Sequence, residues 1–289
     1  MKEFSLDYLR CVKCCSKLDL DVFSRNNEIE EGILKCKNCK TTFPIIEKIP
    51  ILWNDFSDYL AARRTLGGKL FNSVSWKMKD YVKRSLTSKT KKTEDITHIE
   101  EKWTNIYKNN YHSKFYSKIA KEIEKLPSFK LSLEYGCSIG IISNVLANSS
   151  VITFGVDRSF SAINIAKKKS VENLDYFVAD LLTPIFGKKH FDMIVALNLL
   201  ELVEPNDFLK QVSSQIDKGN LVISDPYDYD RGPKSVKIPL NEITVREKLK
   251  KFGFIMTKET SNPSNIPWEL KINPRTTLSY NVDLVIAKK

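Results

Sequence analysis

The chain has 289 residues, of which 42% are hydrophobic and 28% are charged, and this ordinary composition excludes a wholly disordered protein. The length exceeds the roughly 100 to 150 residues of a typical domain, so we expect more than one module. No apolar run approaches the ~18 residues of a membrane span, and the N-terminal residues do not resemble a signal peptide. We therefore expect a soluble, cytoplasmic protein.

The first fifty residues contain two Cys-x-x-Cys pairs, formed by Cys11 with Cys14 and by Cys36 with Cys39, and separated by 21 residues. Each such turn presents two thiolates at one edge of a tetrahedron, and two turns complete a Zn(Cys)4 site without an open coordination position. The spacing predicts a small zinc ribbon over residues 1–55, with a structural rather than a catalytic ion. Cys15 is the alternative to Cys14 as a ligand, and we favour Cys14.

A basic helical region follows over residues 56–129. Apolar residues recur at helical spacing from Lys69 to Leu86, and a second helical stripe runs from Trp103 to Ile123, before Pro127. The formal net charge of +11 is concentrated here, because residues 61–93 contain ten Lys or Arg and one acid, Asp80. Such a block binds phosphate-rich partners, either RNA or an anionic membrane surface, and a solvated linker helix is the alternative interpretation.

From residue 130 to 289, short apolar runs alternate with helical ones, which predicts βαβ units and a mostly parallel sheet. The predicted strands are Leu131–Tyr135, Ile152–Val156, Tyr176–Ala179, Phe191–Leu197 and Leu221–Ser224. The predicted helices are Ile141–Ala147, Phe160–Lys169, Phe208–Ile216 and Glu242–Phe252. Two last strands, Phe254–Glu259 and Val282–Ala287, are joined by a Pro-rich stretch without a helical signal, which favours antiparallel pairing.

Three signals for a nucleotide cofactor follow successive strands. Gly136 and Gly140 lie in the turn after the first strand, where glycines permit a tight turn and close approach of the helix to a ligand. Asp157 ends the second strand and is placed to accept hydrogen bonds from ribose hydroxyls, and Asp180 follows the third strand, where it can take the adenine amine. An NAD-dependent dehydrogenase uses similar residues, but Ser138 stands in place of its middle glycine.

This pattern resembles the class I S-adenosylmethionine (SAM) dependent methyltransferases over residues 130–289, whose acid-x-G-x-G-x-G motif appears here as Glu134-x-Gly136-x-Ser138-x-Gly140. The resemblance implies a Rossmann-like α/β fold, with a seven-stranded sheet, helices on both faces and an antiparallel last strand, and it implies SAM as the cofactor. The cofactor-binding residues that it implies are Glu134, Gly136 and Gly140 at the methionine end, Asp157 at the ribose, Asp180 with Leu181 at the adenine, and also Cys137 and Asn198.

The ribbon has a resemblance of its own. The stretches LRCVKCCSKLDL and LKCKNCKTTFPIIEKIPIL are similar to the small zinc-ribbon proteins that activate tRNA and rRNA methyltransferases, although Val12 replaces the usual proline. This resemblance implies that the ribbon is a platform for a protein partner.

Candidates for the acceptor side come from the loops after the fourth and fifth strands, since open α/β sheets bind ligands at the carboxyl ends of their strands. Methyl transfer is an in-line displacement that depends chiefly on alignment, and the candidate catalytic residues are Asn198, Asp225 and Tyr227. Tyr227 and Tyr229, with neighbouring acids, predict a wall that holds a cation or orients an amine. An exposed acidic loop is the alternative.

A narrower resemblance concerns the acceptor. GCSIG, GVDRSFSAINIA, ALNLLELVEPNDFL and SDPYDYDRGP are similar to the 4-mercaptohistidine N1-methyltransferase domain, which implies a small amine or imidazole. We therefore expect methyl transfer to a nitrogenous small molecule. The alternatives are an RNA methyltransferase that uses residues 61–93, and a non-catalytic SAM-fold binding or scaffold protein.

Overall fold

A computed structural model describes residues 1–88, 93–188, 190–230 and 236–289. The strands are β1 Leu18–Arg25, β2 Ile29–Cys36, β3 Thr42–Ile46, β4 Ile49–Leu52, β5 Phe129–Tyr135, β6 Ser150–Asp157, β7 Leu174–Ala179, β8 Met193–Leu197, β9 Asn220–Asp225, β10 Ile255–Met256, β11 Ile266–Asn273 and β12 Thr276–Lys288. The helices are α1 Phe56–Ala61, α2 Arg64–Ser73, α3 Trp76–Thr87, α4 Thr97–Asn109, α5 Lys114–Glu124, α6 Ile141–Asn148, α7 Phe160–Lys167, α8 Pro205–Ser214 and α9 Glu242–Lys251.

The predicted α/β fold is confirmed, with a mainly parallel sheet and an antiparallel last strand. Each strand and helix expected between residues 131 and 252 is present, with ends shifted by a few residues. The apolar periodicity identified these elements because their inward faces are buried, and β7 and β8 are buried along their whole length.

The prediction of one helix from Lys69 to Leu86 is wrong, because this stretch forms two helices, α2 and α3. Val74 is extended, with φ −89° and ψ 161°, and ends α2. The Ser75 N–H then donates to Glu31 Oε1 at 2.9 Å, and the Ser75 hydroxyl donates to the same carboxylate. A contact with a distant strand, β2, therefore sets the break.

The second helical stripe is also divided, into α4 and α5, rather than being one helix. Asn110 pairs with the backbone of Lys271, donating from Nδ2 to the carbonyl oxygen at 3.0 Å and accepting from the N–H at 2.9 Å. Ser113 then caps α5, since its hydroxyl accepts from the Tyr116 N–H. The helical spacing continues through this turn without revealing it.

The chain forms two compact units. The first comprises Met1–Asn105, Asp157–Ser170 and Asp175–Gly187, and the second comprises Ile106–Val156, Val171–Leu174 and Lys188–Lys289. These units do not follow the expected boundaries at residues 55 and 130. One reason lies in the first unit, where the β1 to β4 antiparallel meander continues into a parallel pairing of β4 with β7.

In the second unit, β6, β5, β8 and β9 are parallel neighbours, and β12 pairs antiparallel with β9. The expected antiparallel pairing of the last strands is present, but β10 has only two residues. Strand β11 is absent from the sequence prediction, which treats the Pro-rich stretch between the last two strands as a link between them. It pairs with the first half of β12, before that strand joins β9.

A buried ion pair stabilises the first unit. Asp175 is fully buried and accepts from the Ser5 hydroxyl at 2.6 Å and the Lys2 N–H at 2.8 Å, and it pairs with Lys167 of α7. Burial opposes the charge of both groups, but their attraction leaves the pKa of Lys167 above and that of Asp175 below its ordinary value. The pair therefore stays ionised at neutral pH.

Replacing Lys167 with methionine is expected to lower the free energy of unfolding by about 3 to 5 kcal/mol, because it leaves the Asp175 carboxylate buried without its cation. Chemical denaturation measures this change. Lys168→Met is the matched control, since Lys168 is the exposed neighbour on the chain. A loss no larger for Lys167→Met than for Lys168→Met would contradict the stabilising role of the pair.

Candidate cofactor, acceptor and metal sites

The four cysteines of the two Cys-x-x-Cys pairs lie together in the first unit. Their sulfur atoms are all within 4.8 Å of one another, with 3.5 Å between Cys11 Sγ and Cys39 Sγ and 3.4 Å between Cys14 Sγ and Cys36 Sγ. Zn–S bonds of about 2.3 Å in a tetrahedron place sulfur atoms about 3.8 Å apart, so the cluster fits a zinc ion. Cys15 is exposed and lies outside this cluster.

The glycine turn between β5 and α6 lies in the second unit. Gly136 has φ +65° and Gly140, which caps α6, has φ +77°, both in the left-handed region that favours glycine. A Cβ added to Gly136 would lie 2.4 Å from Leu199 Cδ2. The turn is held by the Cys137 N–H, which donates to the Val156 carbonyl oxygen at 3.0 Å.

The acid before this turn, Glu134, is buried within β5 and accepts a hydrogen bond from the Ser143 hydroxyl of α6. This bond ties the strand to the helix across the glycine turn. Turn and helix N-terminus together form a backbone cradle of the kind that binds a nucleotide cofactor closely. The geometry therefore fits the methionine end of SAM.

The two acids expected at the adenosine end lie in the first unit. Asp157 is the last residue of β6, and its Oδ1 accepts from the Ser159 N–H at 2.9 Å. Asp180 directly follows β7, and its Oδ1 accepts from the Leu182 N–H at 2.9 Å, while Leu181 is buried. Each carboxylate is thus oriented by its own turn at the carboxyl end of a strand.

Residues that the sequence did not single out surround the turn after Asp157. The buried Tyr59 hydroxyl donates to the Arg158 carbonyl oxygen at 3.1 Å and accepts from the Phe160 N–H at 3.2 Å. Arg63 lies 4.1 Å from the centre of the Tyr59 ring and pairs with both carboxylate oxygens of Glu100 at 2.6 and 2.8 Å. The feature of the sequence that could have identified Tyr59 is the group of aromatic residues in the stretch WNDFSDY.

Arg63 differs from the solvated cations expected in the basic segment, residues 61–93. It is buried rather than solvated, and Lys69 pairs with Glu101 at 2.5 Å. Lys89, Lys91 and Lys92 lie outside the described residues. The exposed cations of α3, Lys77, Lys83 and Arg84, accompany Trp76, whose side chain is 75% exposed.

The three candidate residues of the acceptor side are close together in the second unit. Asn198 follows β8 and has φ +56°, and its Oδ1 accepts from the Ser224 hydroxyl of β9 at 3.1 Å. Tyr227 follows β9, also has φ +56°, and donates its hydroxyl to Asp283 Oδ2 at 3.0 Å. Two non-glycine residues in the left-handed region at neighbouring strand ends are typical of a functional site.

Asp225 is fully buried at the end of β9, not exposed on a loop. Its two oxygens accept from the Leu200 N–H and the Tyr227 N–H, each at 2.8 Å, so it joins the loops after β8 and β9. Burial raises the pKa of this carboxyl to about 7. Burial likewise raises the pKa of Tyr227, whose hydroxyl remains a neutral donor.

The raised pKa predicts a pH-dependent contribution of Asp225 to stability. Because the folded protein holds this proton more tightly than the unfolded chain does, the contribution falls as the pH rises from about 4 to about 7 and then levels off. Asp225→Asn removes the titration, so the free energy of unfolding of this variant, relative to the unsubstituted chain, is expected to rise across that range. Denaturant titrations at about pH 4 and about pH 7 measure this difference in the free energy of unfolding. Asp230→Asn is the control, because Asp230 is exposed. Equal pH slopes in all three proteins would contradict the assignment.

The expected acceptor wall also includes Tyr229, in the loop that follows β9. Tyr229 is half-buried, and its hydroxyl accepts from the Leu240 N–H at 2.9 Å. Residues 231–235 of the same loop lie outside the described residues. Glu201, which follows β8, is fully buried and is not among the candidate residues predicted from the sequence.

Across the described ranges, no helix combines the length and apolar character needed to cross a membrane.

Residues 133–223 match the family model described as "Methyltransferase domain". The ubiquinone biosynthesis O-methyltransferase of Coxiella burnetii is 33% identical over 91 residues, which is 30% of this chain and 39% of that protein. The enzyme of the same name from Pelagibacter ubique is 33% identical over 106 residues, which is 36% of this chain and 43% of that protein. The chain thus spans about two fifths of the length of these relatives.

Three solved structures illustrate the structural likeness. Magnesium protoporphyrin IX methyltransferase from Synechocystis has 16% identity and a TM-score of 0.47, over 65% of this chain and 93% of that one. The N-methyltransferase NodS from Bradyrhizobium japonicum has 15% identity and a TM-score of 0.48, over 63% and 98%. A complex of the Haloferax volcanii Trm112 methyltransferase activator with a methyltransferase has 11% identity and a TM-score of 0.49, over 67% and 96%.

The family match covers the glycine turn, Asp157, Asp180 and Asn198, which are the residues that carried the resemblance in the sequence. The expectation of a methyltransferase domain is therefore confirmed: residues 133–223 of this chain are a methyltransferase domain with the Rossmann-like fold of the SAM-dependent enzymes.

Proposed function

We propose that the protein is a SAM-dependent methyltransferase that methylates a nitrogenous small molecule and carries a structural Zn(Cys)4 ribbon. The observation that carries the proposal is the glycine turn between β5 and α6, in which Gly136 and Gly140 both have positive φ and the backbone leads directly into the N-terminus of α6. Glu134, Gly136, Cys137, Gly140 and Asn198 would hold the methionine end of SAM. Asp157 would bind the ribose, and Asp180 with Leu181 would bind the adenine.

The bound cofactor would supply a methyl group on a sulfonium, and the residues of the chain would align the acceptor with it. Asn198, which follows β8, would take part in this alignment, and its amide is oriented by the Ser224 hydroxyl, which donates to its Oδ1. Tyr227, fixed by Asp283, would line the same site. Asp225 would act through the two loops that it joins, as a positioning residue.

The charge around the acceptor side favours a nitrogenous acceptor. Glu201 and Asp225 are both fully buried; Glu201 follows β8, and Asp225 is the last residue of the adjacent parallel strand β9. Glu201 would be the group of this pair that attracts a cationic amine or imidazole and takes up its proton before transfer, because both oxygens of Asp225 already accept backbone hydrogen bonds. The relatives named above are O-methyltransferases, so a hydroxyl acceptor is the competing outcome.

The experiment is methyl transfer from isotopically labelled SAM to matched amines, imidazoles and phenols, with the methylated atom located by mass spectrometry. Label on nitrogen is the expected result, with slower transfer in Asn198→Ala. Label only on oxygen would refute the nitrogenous acceptor and leave the methyltransferase intact. Tight SAM binding without transfer to any small molecule or RNA would instead favour the non-catalytic scaffold.

RNA is the second candidate acceptor, because Trp76 is exposed on α3 with Lys77, Lys83 and Arg84. An exposed indole beside cations can stack on a base while the cations contact phosphates. RNA affinity through this face should fall steeply between about 50 and 200 mM salt and decrease in Trp76→Ala. Binding that is insensitive to salt would exclude this use of the segment.

A protein partner for the ribbon is a further part of the proposal. Within the described residues β1 pairs only with β2, so its outer edge is free to receive a strand of another chain. This role corresponds to the resemblance between the ribbon and methyltransferase activators. Analytical ultracentrifugation of the purified protein, with and without a candidate partner, tests it.

A further inference from the structure

The zinc ribbon reaches the edge of the sheet where the adenine is proposed to bind. Its last strand, β4, runs parallel to β7, with Ile51 beside Val178 and Leu52 beside Ala179. The next residues on the two strands are Trp53 and Asp180. Because the strands are parallel and in register, both residues leave the sheet at the same edge, on neighbouring strands about 4.8 Å apart.

Trp53 is suited to contact a ligand at this edge. It is half-buried, and the centre of its ring lies 5.1 Å from that of Tyr59 and 5.7 Å from the Arg63 guanidinium. The contacts with Tyr59 and Arg63 restrict the indole, and part of its surface remains accessible. A restricted aromatic ring is a stacking platform for a base.

We infer that the ribbon and the helix after it complete the adenosine half of the SAM site, with Trp53 contacting the adenine and Tyr59 positioning the ribose-binding turn. This inference rests on the proposed function. Both residues lie outside the matched region 133–223. The N-terminal part of the chain would thus contribute directly to cofactor binding, in addition to any partner that it recruits.

Tyr59 acts through the backbone that follows Asp157. Its hydroxyl bonds with Arg158 and Phe160 fix both sides of Ser159, whose N–H orients the Asp157 carboxylate. Arg63 is held over the Tyr59 ring by both carboxylate oxygens of Glu100, which restricts the Tyr59 side chain. A carboxylate held in one orientation is a strong acceptor for ribose hydroxyls.

Calorimetric titration of the full zinc-loaded chain with S-adenosylhomocysteine tests the inference. Trp53→Ala is expected to weaken binding by about tenfold, the loss of one base–aromatic contact, whereas Trp53→Phe, which keeps a ring, should lose much less. Tyr59→Phe, which removes only the hydroxyl, should weaken binding by about fivefold. The matched controls are Trp76→Ala, at an exposed tryptophan, and Tyr81→Phe, whose hydroxyl bonds with Thr42 at 2.9 Å, and both should retain the original affinity.

A 2′,3′-dideoxyribose analogue of S-adenosylhomocysteine separates positioning from general stability. The penalty of Tyr59→Phe should nearly vanish with this analogue, because Asp157 then has no hydroxyl to hold, while the penalty of Trp53→Ala should persist. Affinities of folded Trp53→Ala and Tyr59→Phe equal to the original would overturn the inference and leave the proposed function standing. If Trp53→Ala does not fold, equal affinity in Trp53→Phe and Tyr59→Phe decides against it. Absence of binding in the unsubstituted chain would refute the proposed function itself.

Discussion

Substitution of Gly136 by valine is expected to abolish SAM binding, with affinity reduced by about 100-fold or more. The residue holds φ +65°, where a β-branched side chain is strongly disfavoured, and an added Cβ would lie 2.4 Å from Leu199 Cδ2. Relief of this strain must move the turn or the loop after β8, which carries Asn198. A change of about 2.7 kcal/mol already corresponds to 100-fold in affinity.

Calorimetric titration with SAM measures the effect, and Gly68→Val is the matched control. A Cβ at Gly68, in α2, would meet no atom within 4 Å, so the same substitution there should leave SAM affinity unchanged. Asp157→Ala should also weaken SAM binding strongly, through the ribose. If Gly136→Val bound SAM as tightly as Gly68→Val does, the assignment of the glycine turn to the cofactor would be untenable.

The elements of the sheet could be predicted from the sequence because their signals are local. The alternation of apolar runs and helical stripes from Leu131 onward follows from burial, and the left-handed turn at Gly136 requires glycine. The breaks at Ser75 and Asn110 could not be predicted, because Glu31 and Lys271, which are distant in sequence, determine them. Hydrogen bonds between distant residues leave no periodicity in the chain.

The candidate site divides in the same way. Acids at the ends of predicted strands, such as Asp157 and Asp180, follow from strand order, since the carboxyl ends of parallel strands share one edge. The burial of Asp225 and the approach of β4 to β7 depend on strand pairing, and Leu52 and Ala179 are separated by more than a hundred residues. The sequence around Trp53 therefore does not indicate a function, and the pairing of β4 with β7 does.

Loss of the proposed zinc ion is expected to destabilise the proposed ribbon by at least about 3 kcal/mol, because the binding energy of a structural zinc ion is folding energy for a module with a small core. Cys36→Ser is the decisive substitution, since Cys36 is buried at the end of β2 and lies in the cluster with Cys14. We expect zinc to fall well below one ion per chain and unfolding to begin at lower denaturant concentration.

Cys15→Ser is the matched control and should retain both zinc and stability, because Cys15 lies outside the cluster. Metal analysis of the two variants also decides between the alternative ligands, since zinc lost in Cys15→Ser and kept in Cys14→Ser would reverse the assignment. If the inference about Trp53 is correct, Cys36→Ser also weakens SAM binding, because β4 connects the ribbon to the strand that carries Asp180.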